Sequence, residues 1–464
     1  MANSNTVNIT ILKEMYKALT SNLLEKWYPL VIDKEYGGYF TNLTYDFKLM
    51  PEQEKMLVTQ ARHVWSCSKA AEFLGDKNYL DYAMHGFEFL KNVMWDKEYG
   101  GYFQIRGRKG EISDVENYGE EKRTYGNAFA VYGLAALYET SKNEDVLDLA
   151  KKSFNWIEEN AFDKEYKGYF QFFTRQNILF DKKSAYITKA SDKVEVGYKD
   201  QNSSIHLLEA YTELYNVLKD DKLREQLYQL LILIRDKITS DKGYLRLFFE
   251  KDWTPVSFRN SPKDIREKNY RLDHVSFGHD YETAFLMLEA SYELGIKNDT
   301  ATLKTAKKMI DHAIENGWDN NKGGFFDEGY YFAGEDKCSI IKDSKNWWAQ
   351  AEGLNALLLF SKIYPEDKKY SELFVKQWEY IKEYLIDNDY GDWYWGSLEK
   401  EPHYKFEPKG SIWKGTYHNC RSLINCITML SDEESSGLTN GAKVYKNKFD
   451  NMINKWKETA RSIV

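Results

Sequence analysis

The 464-residue chain has little of what staples, kinks or strongly charges a fold. It carries 4 cysteines, Cys67, Cys338, Cys420 and Cys426, with no CxxC pair among them. That is too few for a disulfide framework at this length, and the spacing fits no structural zinc site. Its 64 Lys and Arg against 72 Asp and Glu give a net charge of −8 without a block of one sign. A nucleic-acid partner, which needs a basic face, is therefore not expected. Apolar runs are short, as at 356–360, far below the roughly 20 residues that cross a bilayer, and residues 1–12 lack a basic, apolar signal segment. The expectation is a cytoplasmic protein with reduced thiols and no membrane partner.

Aromatic residues are abundant, with 13 Trp, 35 Tyr and 25 Phe. Many belong to a phrase that recurs: DKEYGGYF from Asp33, WDKEYGGYF from Trp95 and FDKEYKGYF from Phe162, with weaker copies SDKGYL from Ser240, WDNNKGGFF from Trp318 and DYGDWYW from Asp389. Counted from Asp33, Asp96, Asp163, Asp241, Asp319 and Asp389, the chain divides into units of about 70 residues. Length alone suggests about three domains; six repeats of one unit point to one. Asp and Gly between aromatics are turn chemistry leading into a short strand-like piece.

Before each later phrase lies an amphipathic helical pattern, at 79–95, 144–161, 223–238, 301–317 and 368–386. After each phrase and a polar loop comes a helix richer in Ala, Ser, Gly and aromatics, at 62–74, 127–140, 203–217, 279–294, 347–363 and 418–430. Small residues on more than one face predict burial on both sides. Hairpins with one wet and one dry helix bury the dry set by stacking round a common axis, which predicts an all-α (α/α)6 barrel of six helical hairpins with short β turns. All 7 prolines lie outside the dry helices, where each would cost about 3 kcal/mol. The expected division is a barrel over 1–432 and a helical extension over 433–464. Long loops are expected at 171–201, 251–276, 329–345 and 397–416.

Parallel inner helices would bring their N-terminal ends to one mouth. The residues there are Arg62 and Trp65; Tyr125 and Asn127; Asn202 and His206; His279 and Glu282; Trp347, Trp348 and Glu352; His418, Asn419 and Arg421. Three of the 8 histidines thus start three different inner helices. His279 and Glu282 stand three apart on one helical face, so the carboxylate can orient the imidazole; His418 and Arg421 share that spacing. His206 follows Asn202 by four, and both face one cavity if the helix starts early enough. His63, His85, His274, His312 and His403 lack this register and are read as ordinary hydrogen-bonded residues. No HxxxH or HxH pair supports a metal site. A carboxylate pair for glycoside hydrolysis, drawn from Asp280, Glu282 and Glu352, stays open, because the sequence does not give their separation. Trp393 and Trp395 alternate on a strand-like turn and could both face a sugar.

The stretches ARHVW from Ala61, RTYGNAFAVYGL from Arg123, NSSIHLLEAYTELY from Asn202, FGHDYETAFLMLEA from Phe277, WWAQAEG from Trp347, DWYWGS from Asp392 and WKGTYHNCR from Trp413 touch every inner helix. In their order and spacing they resemble the N-acylglucosamine 2-epimerase superfamily, and within it most the cellobiose 2-epimerases. The resemblance implies an (α/α)6 barrel and epimerisation at C2 of a reducing-end aldose without metal or nucleotide cofactor. It places the two acid/base histidines on His279 and His418, the third or ring-opening histidine on His206, and the family's other polar residues on Arg62, Tyr125, Asn202 and Glu282. Sugar-stacking tryptophans fall on Trp348 and on Trp393 or Trp395. The chain departs from the cellobiose enzymes in reading WKGTYHN where they read WKCPYHN, and in Phe285 where they carry tryptophan. The implied partner is a mono- or disaccharide bound by a monomer or homodimer. An aldose-ketose isomerase or an N-acylglucosamine 2-epimerase would use the same residues.

Overall fold

A computed structural model describes residues 4–184, 196–431 and 439–463. Its regular structure is mostly helical, with a few short paired strands. The six inner helices are Leu57–Leu74, Thr124–Ser141, Gln201–Val217, Phe277–Glu293, Trp347–Ile363 and Tyr417–Leu430. Each packs on the next, and the sixth packs on the first, which closes the ring. The chain forms the expected (α/α)6 barrel. Among the described residues no helix is long and apolar enough to cross a membrane.

Five outer helices follow their inner partners at Lys77–Phe89, Glu144–Asn160, Asp221–Leu233, Thr300–Gly317 and Lys368–Tyr384. Each is N-capped by a short side chain: Asp76, Asn143, Asp220, Asp299 and Asp367 accept from backbone N–H groups of the first turn. The sixth outer helix, Ser4–Lys17, comes from the opposite end of the chain and packs on the sixth inner helix. Sequence analysis missed it, because local periodicity does not announce a partner some 400 residues away.

The recurrent phrase is a pinned turn. In the first unit Asp33 Oδ1 accepts the backbone N–H groups of Glu35 and Tyr36, while Oδ2 takes Lys55 Nζ at 2.8 Å. Lys55 also donates to the Gly37 carbonyl and lies two residues before the first inner helix. Asp96–Lys122, Asp163–Lys199 and Asp319–Lys345 repeat this at 3.0, 2.8 and 2.7 Å, each lysine again two residues before its inner helix. In the fourth unit Ser240 replaces the aspartate and Val275 the lysine, so neither charge is left buried alone. In the sixth unit the pinning aspartate is Asp387, bound to Lys409 at 2.8 Å, rather than the Asp389 read from the sequence. A second device ties the turn to the helix: Gln60, Asn127, Asp280 and Gln350 accept the N–H groups of Tyr39, Tyr102, Leu245 and Phe325.

Three expected loops hold short elements instead. Segment 251–276 contains the helix Lys263–Asp273, 329–345 the strand Ser339–Lys342 paired with Glu328–Tyr330, and 397–416 the 3-10 helix Pro402–Phe406. The loop 171–201 begins with the strand Phe172–Phe173, and its centre lies outside the described residues, as does the expected boundary at 432–433. The last helix, Asn440–Arg461, packs across the C-terminal ends of inner helices, with Trp456, Phe449 and Met452 buried and Thr439 Oγ1 donating to the Phe73 carbonyl. It covers the end opposite the mouth.

Candidate active site

A cavity of about 540 Å³ opens at the N-terminal ends of the inner helices, within the size range of small-ligand sites. All six inner helices contribute to its lining. Arg62, Tyr125, Asn202, His206, His279, Glu282, Trp347, Trp348, Trp395 and His418 all line it. The third inner helix starts at Gln201, which is early enough to put Asn202 and His206 into the same space.

Each histidine spends Nδ1 on the protein. His279 Nδ1 lies 2.8 Å from Ser276 Oγ, His206 Nδ1 2.8 Å from Glu209 Oε2 and His418 Nδ1 2.8 Å from Glu352 Oε1. Nε2 is then the nitrogen left for a bound molecule. Burial pushes His279 down to about 3, helped by the charges of His206 and His274. Burial, then Arg62 and Arg421, hold His418 well below the usual imidazole value. Both rings are neutral near pH 7. The indole of Trp348 packs on both, at centroid distances of 4.8 Å to His279 and 5.7 Å to His418. Arg62 donates to Tyr125 Oη at 3.2 Å and lies over the ring of Phe129, so its guanidinium plane is fixed before any ligand arrives.

One layer behind, Arg421 bonds Glu209, Glu282 and Glu352 together. Burial pushes the Glu352 carboxyl up to about 8, with Glu282 beside it and Arg421 opposing. Glu209 resists the same burial: Arg421 and His206 hold it at about 2.

Five expected contact residues do not line the cavity. Asn127 is fully buried, its amide bonded to the Tyr102 backbone as a turn clamp. Trp393 is fully buried in the core; a bend at Trp395 breaks the alternation that would put the two on one face, and Trp395 packs on Trp347 at 4.5 Å. Asn419 donates to Asp392. Glu352 and Arg421 reach the cavity only through His418 and Glu282. The expected Glu282–His279 pairing is replaced: Ser276 holds His279, and Glu282 turns to Arg421. Asp280 points into the turn, where Leu245 N–H donates to it, so it offers no carboxylate to a hydrolytic pair.

Sequence reasoning missed Asp327, Lys342, Asn346, Tyr404 and Trp413 in the lining. All five lie in or beside segments read as loops, and Trp413 also opens a stretch already singled out. It also missed Glu209, although His206–Glu209 has the same three-residue spacing as His279–Glu282. Among the described residues one set of metal-ligand types gathers, Glu282, Glu352 and His418, with ligand atoms within 4.8 Å of one another. Arg421 already bonds both carboxylates. The cation is a side chain, and the set does not fit a metal ion as it stands.

The chain is similar over nearly its whole length to curated proteins. It is 32% identical over 422 residues to a cellobiose 2-epimerase of Bacteroides fragilis, covering 89% of this chain and 98% of that one. It is 33% identical over 428 residues to the cellobiose 2-epimerase of Ruminococcus albus, with 90% and 98% covered. Among solved structures, cellobiose 2-epimerase from Bacillus thermoamylovorans B4167 superposes with a TM-score of 0.77 at 26% identity, over 90% of this chain and 99% of that one. A family model described as N-acylglucosamine 2-epimerase (GlcNAc 2-epimerase) matches residues 38–421, and the chain belongs to that family.

Proposed function

We propose that the chain is a sugar 2-epimerase that acts on the reducing end of cellobiose or a related β-linked disaccharide. That it is a carbohydrate epimerase or isomerase rests on its family and on its relatives, two of them named cellobiose 2-epimerase. The observation that carries the finer reading is a pair of neutral imidazoles, His279 and His418, brought from different helices to one indole and each anchored through Nδ1.

In an opened aldose, C1 is a carbonyl and the hydrogen on C2 is acidic enough for a positioned base. One imidazole takes that proton, a cis-enediol(ate) forms, and the other imidazole returns a proton to the opposite face of C2. Arg62 steadies the developing oxyanion with a planar fork of donors. His206, hydrogen-bonded to Glu209, moves the proton that opens the ring in this reading. Trp348 and the Trp347–Trp395 pair offer flat faces to the C–H surfaces of the two sugar rings.

NMR in D2O tests this. Deuterium should enter C2 as the manno epimer appears. Unchanged C2 proton signals for cellobiose, mannobiose, lactose, mannose and N-acetylglucosamine would sink the reading. A ketose product would make the same site an aldose-ketose isomerase, and release of monosaccharides would make it a hydrolase.

A further inference from the structure

Arg421 touches three glutamates, each from a different inner helix: Glu209 from the third, Glu282 from the fourth and Glu352 from the fifth. All four side chains are at most 3% exposed. Two of these carboxylates carry a histidine on their far side, His206 on Glu209 and His418 on Glu352, both at 2.8 Å. The third, Glu282, lines the cavity and has one oxygen, Oε2, without a protein partner. The pattern is symmetrical: one guanidinium, a carboxylate on either side, an imidazole beyond each.

A single guanidinium cannot balance three carboxylates when all four side chains are buried, so the cluster favours keeping an extra proton. Glu352 is the carboxyl that burial and its acidic neighbours drive toward the protonated form, while Glu209, closer to Arg421 and His206, stays ionised. The proton shared between Glu352 and His418 then depends on the charge of Glu209, two contacts away.

We propose that Arg421 is a positioning residue that couples the charge of the Glu209–His206 pair to His418 through Glu352, so that the proton state of His418 responds to what happens at the other end of the network. This rests on the sugar 2-epimerase reading for what the coupling serves: His206 can give up its ring-opening proton only as the His418 side takes up the compensating charge. Other charged or titratable groups facing His418 are Arg62 from the first inner helix and His206 and His279 from the third and fourth. Glu352 acts besides on Tyr281, Tyr417 and Cys426, whose high values keep them neutral.

The test has two arms. In the first, protein labelled with 13C at histidine Cε1 is titrated by NMR, with the His418 signal assigned by its loss in His418→Gln. Glu209→Gln removes a negative charge on the His206 side, so the pH at which the His418 signal changes should fall by about one unit. In the second, C2 deuterium exchange is followed against pH. Arg421→Lys keeps the charge but loses the fork, so kcat should fall about 100-fold with KM within about threefold, while the acid limb, where His418 is protonated, stays in place. In Glu209→Gln that limb should move down with the NMR midpoint. A His418 midpoint unchanged in Glu209→Gln overturns the proposal, as does a loss of thermal stability and active fraction in both variants with the midpoint fixed. If Glu209→Gln does not fold, Arg421→Lys decides by the split between kcat and KM. If the parent protein exchanges no sugar, the epimerase reading fails, and the NMR arm still decides the coupling.

Discussion

His418 Nδ1 stands 2.8 Å from Glu352 Oε1, and the same oxygen takes Arg421 Nη2 at 2.6 Å. One carboxyl oxygen therefore joins a cavity imidazole to a buried guanidinium. In the proposed reaction His418 gains a proton, and Glu352 is the group that can then carry the balancing negative charge.

Glu352→Gln should test that balance. An amide keeps the shape, and its oxygen can still accept from His418 Nδ1–H and from Arg421, so the fold and sugar binding should survive, with melting temperature and KM close to the parent's. It cannot become negative, so kcat for C2 exchange should drop about 100-fold. A Gln variant with full kcat would show that Glu352 only holds the ring.

Gly278 gives Trp348 its place. A methyl added at Gly278 would lie 2.6 Å from the indole edge and 3.0 Å from Ala349 Cβ, closer than side chains pack. Gly278→Ala should push the indole off the two imidazoles and raise KM about tenfold. Steady-state kinetics on cellobiose and on mannose checks this, and an unchanged KM for both would remove Trp348 from the sugar contact.

Acid sensitivity should come from buried neutral imidazoles. Burial holds His63 and His279 down at about 3 and His312 at about 4. Below about pH 6.5 the unfolded chain binds protons that the folded form refuses, so stability falls as pH falls, by about 1.4 kcal/mol per pH unit for each such group, until the folded values are reached. His63 touches Tyr28 rather than the cavity. His63→Gln should therefore flatten the slope between pH 6 and 4 by about that amount, as read from urea unfolding at several pH values.

The pinned turns should behave as pairs. Lys199→Met leaves Asp163 buried without its lysine and should cost about 3–5 kcal/mol. Adding Asp163→Leu should recover most of that loss, as Ser240 with Val275 in the fourth unit illustrates. Denaturant unfolding of the two variants measures it, and a double variant as unstable as the single would mean that the charge pair itself is needed.

Much of this was legible in order along the chain. The phrase with its Asp and Gly gave the repeat, and the small-residue helices gave the inner ring. His206, His279 and His418 were found because each opens an inner helix in the same register. What failed had a common cause. Asn127 and Trp393 sit at the register of site residues, but whether a side chain turns to the cavity or to the neighbouring turn depends on a fraction of a helical turn or one step of a strand. Glu282 was paired with its near neighbour His279, whereas Arg421, on another helix, outbid a neutral imidazole for its charge. The outer helix Ser4–Lys17 escaped because its partner is at the far end of the sequence.

The sequence by itself determined the sixfold repeat, the inner and outer helix types and the residues that open each inner helix, because these follow from local turn chemistry and helical periodicity. Only the tertiary structure decided that Ser276, Glu209 and Glu352 hold the three histidines, that Arg421 binds three carboxylates, and that Lys342, Asn346 and Tyr404 reach the cavity. Ser276 and Glu209 stand three residues from their histidines, so there the structure only chose among near neighbours; the bonds of Glu352 to His418 and of Arg421 to its carboxylates join residues from different units, and closing the ring sets their distances.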